Sequence, residues 1–189
     1  MRELSLHVLD VLENALAADA TLIELEINED SAANRLSIRV TDNGRGMDAE
    51  TVARVSDPFF TTRTTRDIGL GLPLFRAAAQ RCNGDLTLRS QRGVGTEVLA
   101  EFERDHLDRA PLGDMKSTLL GVILSDRVRD LRYEHRVDGR SFGLDTRELR
   151  AVLGDVPFTH PSVRDWLEEY LDQESLVLEN PGGPSEGSD

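Results

Sequence analysis

Between residues 35 and 55 the chain runs from an alternating stretch, RLSIRVT, into Asp42-Asn43-Gly44-Arg45-Gly46-Met47, and then into a segment that Asp48 can open as a helix. A carboxylate at a strand end followed by two glycines within three residues prescribes a tight turn. Without a Cβ at 44 and 46, a flat ring can come close to the backbone there. An adenine carries an exocyclic amino donor, and a carboxylate at a strand end can accept that hydrogen bond and so select the base. Alone, DNG is equally an ordinary turn between strands. The constraint comes from what flanks it, and in which order.

Upstream, residues 3–19 place Leu4, Val8, Val11, Leu12, Ala15 and Leu16 on one helical face. Asn14 follows Asp10 by four residues and His7 by seven, so the three share a face. Asparagine disfavours a helix interior, so Asn14 has little reason to be there on propensity alone. Residues 21–28 alternate as a strand and should pair with 35–41 as a hairpin. Downstream, Pro58 ends a short helix over 49–55. DPFFTTRTTRDIGLGLPLF follows, with Thr61, Thr62, Thr64 and Thr65 in what reads as a mobile loop over 61–68, and a helix returns over 70–82. Glycines before a helix let backbone N–H groups turn toward phosphate, and the helix N-terminus adds positive potential. Gly84 stops that helix, and strands follow over 85–90 and 95–103, with Gly93-Val94-Gly95-Thr96 between them. Helices on one face of a mixed or antiparallel sheet make an α+β layer.

These segments resemble, in order, the N, G1, F, G2 and G3 boxes of the GHKL ATPases: gyrase, the large heat-shock chaperones, histidine kinases and MutL. The resemblance implies a two-layer α/β sandwich of the Bergerat type. It implies ATP as cofactor, with adenine on Asp42 and with Gly44, Gly46 and Met47 completing the base-binding turn. It puts Mg²⁺ on the amide oxygen of Asn14 and phosphates on Gly69, Leu70, Gly71 and Leu72. PFFTTR is similar to the lead-in to the ATP lid of nitrogen-regulation-type histidine kinases, so Phe59 and Phe60 would anchor a short lid and Arg63 would touch the terminal phosphates. Binding of ATP should order residues 61–68. Thr96 would bring a hydroxyl near the phosphates or stabilise the lid. Asp10 matches the position at which gyrase-like and anti-sigma-like members carry a catalytic Glu, acting as general base or ordering the metal's waters. His7 could relay a proton to Asp10, but a polar residue on that face is the commoner case.

Bulk properties narrow the partners. A net charge of −13 argues against nucleic acid, whose phosphates need compensating Lys and Arg. Lys116 is the only lysine, which points to a compositional bias. A single cysteine, Cys82, permits no internal disulfide, offers no thiolate metal set and should be buried against a helix. No apolar run approaches the ~20 residues that span a bilayer, and the N-terminus is not a signal peptide, so a cytoplasmic protein without membrane contact is expected.

Composition shifts near residue 105: residues 1–104 carry a net −5 and 105–189 a net −8. The expected organisation is a nucleotide-binding domain over 1–104, a small α/β extension over 105–178, and a disordered tail over 179–189. The extension should hold a helix over 113–124, a hairpin of 130–137 and 140–144 turning at Asp138-Gly139, and helices over 145–153 and 161–173. RELSLHVLDVLENALAADATLIELEI, DRAPLGDM and DGRSFGLDTRELRAVLGDVPF are similar to small stand-alone ATP-binding proteins often encoded near iron-only hydrogenase genes in anaerobic bacteria. That resemblance implies a regulatory or maturation-linked role, although no iron–sulfur ligand set is present in the sequence. The Asn14 helix begins at the first residues, and none of the histidines has the context of a phosphoacceptor. The expectation is therefore a stand-alone kinase catalytic module or nucleotide-gated regulator acting on a protein partner or phosphoacceptor. The alternatives are an anti-sigma-type protein-serine kinase with Asp10 as base, and an ATPase coupling hydrolysis to conformational change.

Overall fold

The computed structural model describes residues 3–56, 71–125, 127 and 130–179. The order of elements is α1 (Leu4–Ala17), β1 (Leu22–Asp30), β2 (Arg35–Asp42), α2 (Ala49–Ser56), α3 (Gly71–Arg81), β3 (Asp85–Gln91), β4 (Gly95–Glu103), α4 (Met115–Leu124), β5 (Asp130–Val137), β6 (Arg140–Asp145), α5 (Thr146–Leu153) and α6 (Pro161–Glu179). The strands form one mixed sheet, β3-β4-β2-β1-β5-β6. Among the described residues only the β1–β5 pairing is parallel; the other four pairings are antiparallel.

Alternation decides which face is which. Ile23, Leu25, Ile27, Leu36, Ile38, Val40, Val98, Ala100 and Phe102 are buried on one face, joined by Leu131, Tyr133, Phe142 and Leu144 from the last two strands. The intervening positions make the other face a charged lattice. Arg39 reaches Glu26 at 3.6 Å, Arg89 reaches Glu97 at 3.4 Å, Arg132 reaches Glu24 at 3.4 Å, and Arg35 pairs with Glu101. A sheet with one apolar and one ionic face needs helices on one side only, and this gives the α+β two-layer architecture.

The DRAPLGDM segment has a concrete structural task. Glu3 provides no side-chain cap for α1. The Leu4 and Ser5 amides donate instead to the carbonyls of Pro111 (3.0 Å) and Leu112 (2.8 Å). Asp114 then caps α4, accepting from the Ser117 amide at 2.8 Å. At the β5–β6 turn Asp138 and Gly139 both have positive φ, 48° and 85°, as a two-residue hairpin with the native twist requires. The Asp138 carboxylate accepts from the Ser31 amide and hydroxyl at 2.8 and 2.7 Å, tying this turn to the one between β1 and β2.

Two local expectations are corrected. Gly84 does not supply the left-handed residue that ends α3; Asn83 does, at φ 54°. Gly84 is needed because a Cβ there would lie 1.7 Å from the Glu101 carbonyl, where β4 crosses the end of the helix. Helix α6 runs to Glu179 rather than stopping near 173. Leu171 and Leu178 remain buried along it, and the next helix breaker in the chain is Pro181. Cys82 is a free, buried thiol at the end of α3, as its place in the pattern suggested. Pro58, the 61–68 segment and the residues beyond 179 lie outside the described residues.

Candidate nucleotide site

The turn after β2 folds back over the C-terminal end of α1. Arg45 donates its amide to the Ala18 carbonyl at 2.9 Å. Asn43 spends its whole amide on the start of β1: Oδ1 accepts from the Thr21 and Leu22 amides, both at 2.9 Å, and Nδ2 donates to Thr21 Oγ1 at 2.9 Å. On its other side the turn meets the β3–β4 connection, where Gly93 donates to the Arg45 carbonyl at 2.8 Å and Met47 donates to Ser90 Oγ at 2.8 Å. The glycines are demanded by this packing of protein on protein. Gly46 has φ 62°, and a Cβ there would stand 2.0 Å from the Gln91 carbonyl; Gly95 has φ 137°, and a Cβ there would stand 1.9 Å from the Asp42 carbonyl.

These elements enclose a cavity of about 440 Å³. Asn14 and Val11 come to it from α1, Asp42, Gly46 and Met47 from the turn, Leu72 from α3, and Thr96 and Val98 from β4. Thr51 and Val55 of α2 close it on the outside. Helix α2 is held by the expected cap: Asp48 accepts from the Thr51 amide at 2.9 Å.

Asp42 is half-buried and accepts from the Gly44 amide at 2.8 Å. Burial raises its pKa above the ordinary carboxylate value, and the backbone N–H groups of Gly44 and Thr96 offset this only in part. Asp10 is likewise raised by burial. It lies against the start of α3: a Cβ on Gly71 would come within 2.8 Å of the Asp10 Cβ and 3.0 Å of a carboxylate oxygen. His7 belongs to the core instead. Its ring stacks on Phe75 with centroids 5.0 Å apart and planes 6° off parallel. Burial lowers its pKa to about 4, so the ring is neutral at ordinary pH.

Asn14, Asp42, Gly46, Met47, Leu72 and Thr96 thus line a single cavity, Gly44 lies in the turn that forms it, and Asp10 and Gly71 lie against one another. Phe60, Arg63, Gly69 and Leu70 are outside the described residues. Sequence reasoning passed over Asn43 and Ser90, which stitch the turn to its two walls, and Arg45 and Arg92, which also line the cavity. Asn43 was inside the motif that was read, but its three hydrogen bonds are visible only once Thr21 is beside it. Nothing around Ser90 marked it.

A desolvated carboxylate at the end of a cavity, held by backbone donors and faced by apolar walls, can accept a hydrogen bond from a flat heterocycle that carries an amino group. An amide such as that of Asn14 can offer one oxygen to a hard cation. Comparison with known proteins places these features in a lineage. Over 89 residues the chain is 45% identical to Sensor protein kinase FleS of Pseudomonas aeruginosa. It is 27% identical over 99 residues to Sensor histidine kinase YvrG of Bacillus subtilis, and 34% identical over 94 residues to Sensor histidine kinase RcsC of Escherichia coli. These alignments cover 47%, 50% and 47% of this chain but only 22%, 17% and 10% of the relatives. The chain therefore spans about a fifth or less of the length of these proteins. Residues 2–106 match the profile of the Histidine kinase-, DNA gyrase B-, and HSP90-like ATPases, which is more than half of the chain, and the chain belongs to this ATP-binding family.

Proposed function

We propose that the cavity takes ATP with its base on Asp42 and its phosphates toward the start of α3, and that the chain uses the nucleotide as a kinase module or nucleotide-gated regulator of another protein. The observation that carries this reading is that Asp42 and Asn14, from a strand end and a helix, line the same cavity of about 440 Å³. In this reading Gly44, Gly46, Met47 and Thr96 shape the base end, and Gly71 and Leu72 the phosphate end, continued by Gly69, Leu70, Arg63 and Phe60. The relatives' names, a sensor protein kinase and sensor histidine kinases, support phosphoryl transfer to a protein as the chemistry. The cytoplasm, where ATP is abundant, is the matching compartment.

Mg²⁺ fits the residues present. Among the described residues no group of three or more His, Cys, Asp or Glu gathers to hold a metal. Mg²⁺ keeps several waters and needs few protein ligands when phosphates supply the rest, so the oxygen of Asn14 suffices. Bound there, it would neutralise charge on the phosphates. Asn14 orients, Asp42 selects, and the apolar walls from Val11, Val55 and Leu72 exclude water from the base.

The position of Asp10 favours a second reading of the same site. A carboxylate one turn before Asn14, raised by burial and set at the start of α3, is suited to take a proton from a water or a protein hydroxyl. That is the protein-serine kinase or ATPase alternative. The purified protein with γ-labelled ATP and Mg²⁺, beside Asp42→Asn, tests both. Label released as phosphate, or transferred to an added acceptor protein, in a manner that requires Asp42 supports the reading; absence of ATP binding sinks it. Asp10→Asn should retain ATP binding while turnover or transfer falls by about 10²-fold or more if Asp10 is the base.

A further inference from the structure

Ser90 lies in β3, outside every motif, and its hydroxyl has three polar neighbours. The Met47 amide is at 2.8 Å, the Gly95 carbonyl at 2.9 Å and Thr96 Oγ1 at 2.9 Å. A serine hydroxyl has one proton and two lone pairs. The Met47 amide can only donate, so it fills one lone pair. The Gly95 carbonyl can only accept, so it takes the proton. The remaining lone pair is satisfied only if Thr96 donates to it. One arrangement of protons therefore satisfies all three contacts, and in it the proton of Thr96 is committed to Ser90 and the hydroxyl turns lone pairs alone toward the cavity.

Thr96 is the cross-strand partner of Asp42, and both line the cavity. The carboxylate accepts as well. This wall of the site presents two acceptors and no donor to a ligand. We propose that Ser90 is a positioning residue for base selectivity: by holding the Thr96 proton it keeps the Asp42–Thr96 wall acceptor-only. Such a wall favours a purine that presents an amino group there and disfavours one that presents a carbonyl in the same place. The proposal rests on the reading of the cavity as a nucleotide site. Without the Ser90 hydroxyl, Thr96 is free to rotate and donate, and a carbonyl becomes acceptable.

Adenine and hypoxanthine differ at that position and hardly in size, so ATP and inosine triphosphate are the probes. Calorimetric or fluorescence titration of the full chain should show wild type preferring ATP. Ser90→Ala should narrow the ratio of the two affinities by about tenfold, the scale of one hydrogen bond. Ser90→Thr, which keeps the hydroxyl, should restore it, and in a Thr96→Val background Ser90→Ala should change the ratio no further. Equal losses for both nucleotides in Ser90→Ala would mean that the serine only supports the turn, and would overturn the proposal. Should Ser90→Ala fail to fold, Thr96→Val alone reads the same wall, and an unchanged ratio there overturns it too. A wild type that binds both nucleotides equally removes the selectivity proposal alone, whereas one that binds neither removes the nucleotide-site reading beneath it.

Discussion

Two cavities of similar size lie at opposite ends of α1, and a carboxylate in each, Asp42 in one and Glu29 in the other, is shifted in the opposite direction from its ordinary value. The one beside the C-terminal end, about 440 Å³, holds Asp42, which burial raises above its ordinary value and which backbone donors alone relieve. The other, about 590 Å³, is lined by Glu29, Arg104, His135 and Glu174 together with the 112–116 segment. There the charges are balanced internally. His135 Nδ1 is 2.7 Å from Glu174 and Nε2 is 3.2 Å from Glu29, while Tyr133 donates to Glu174 and Arg104 Nε to Glu29 at 3.1 Å. The hydrogen bond from His135 is the largest influence on Glu29 and holds it below its usual value. Volume does not distinguish the two. A carboxylate that the protein desolvates and only partly compensates is a candidate for binding, and a compensated one belongs to the structural network.

The largest effect should come from breaking the compensated side. His135→Ala leaves the half-buried carboxylates of Glu29 and Glu174 without the buried ring that bridges them. Removal of one member of a buried charged network costs roughly 3 kcal/mol or more. Urea denaturation should show that loss, with ATP affinity unchanged within about twofold. A loss of ATP affinity in parallel would mean that the two cavities are coupled, and the contrast would fail.

Asp42→Asn should do the reverse. It removes an accepting charge, and charge-assisted hydrogen bonds contribute about 1.5–3 kcal/mol, so ATP affinity should fall by roughly 10–150-fold. Because the folded protein disfavours the ionised form, the variant should be no less stable than wild type and somewhat more so at neutral pH. A melting temperature that falls with the affinity would make Asp42 a structural residue.

The pH dependence separates the two regions again. Burial pulls His135 down, but its hydrogen bonds to Glu174 and Glu29 and their charges outweigh this and leave it above 6.5. Its contribution to stability is complete below pH 6.5 and is lost as pH rises through the raised value. Glu29 is lowered from 4.5, so its contribution is present above 4.5 and disappears as pH falls through the lowered value. The network therefore acts in full between about pH 4.5 and 6.5. Asp42, raised from 3.8, does the opposite: stability falls as pH climbs from 3.8 through its folded value and then levels off. Denaturation profiles of wild type and His135→Gln should lie furthest apart below pH 6.5 and draw together as pH rises through the raised value of His135. Parallel curves would show that the imidazole is not charged in the fold.

What was legible in the sequence follows from the range of the physics involved. The hairpin of β1 and β2 and the turn at Asp138-Gly139 depend on alternation and on two adjacent residues, so they can be read directly. Asp42, Asn14 and Thr96, which line one cavity, stand out in the sequence because their motifs occur in a fixed order. Asn43 and His135 do not, because each acts through partners 20 or more residues away, Thr21 at 22 and Glu29 at 106; Ser90 joins Met47, 43 residues away, to Gly95 and Thr96 across a strand turn, and no motif marks that meeting. His135 was noticed only as a histidine without a phosphoacceptor's neighbours. Gly84 misled because a glycine after a helix has two possible reasons, a left-handed turn or a close approach, and only the position of Glu101 distinguishes them.

The smallest effect probes how each cavity keeps its outer wall. On the compensated side that wall is α6, fastened by the half-buried Glu174 network and by Lys116, whose Nζ reaches both oxygens of Asp172 at 2.7 Å. On the Asp42 side it is α2, eight residues long, too short to persist without help from its ends or its packing. Its cap is Asp48, exposed to solvent and held below its usual value first by the Thr51 amide. Asp48→Ala should therefore fray the first turn of α2, where Thr51 faces the cavity, without loosening the sheet. Amide exchange should speed up at Thr51 and Val52 and stay unchanged in β1 and β5, and ATP affinity should fall by no more than a few-fold. Protection lost across the sheet would mean that α2 is part of the structural core, and that the site's outer wall is as fixed as the wall of its neighbour.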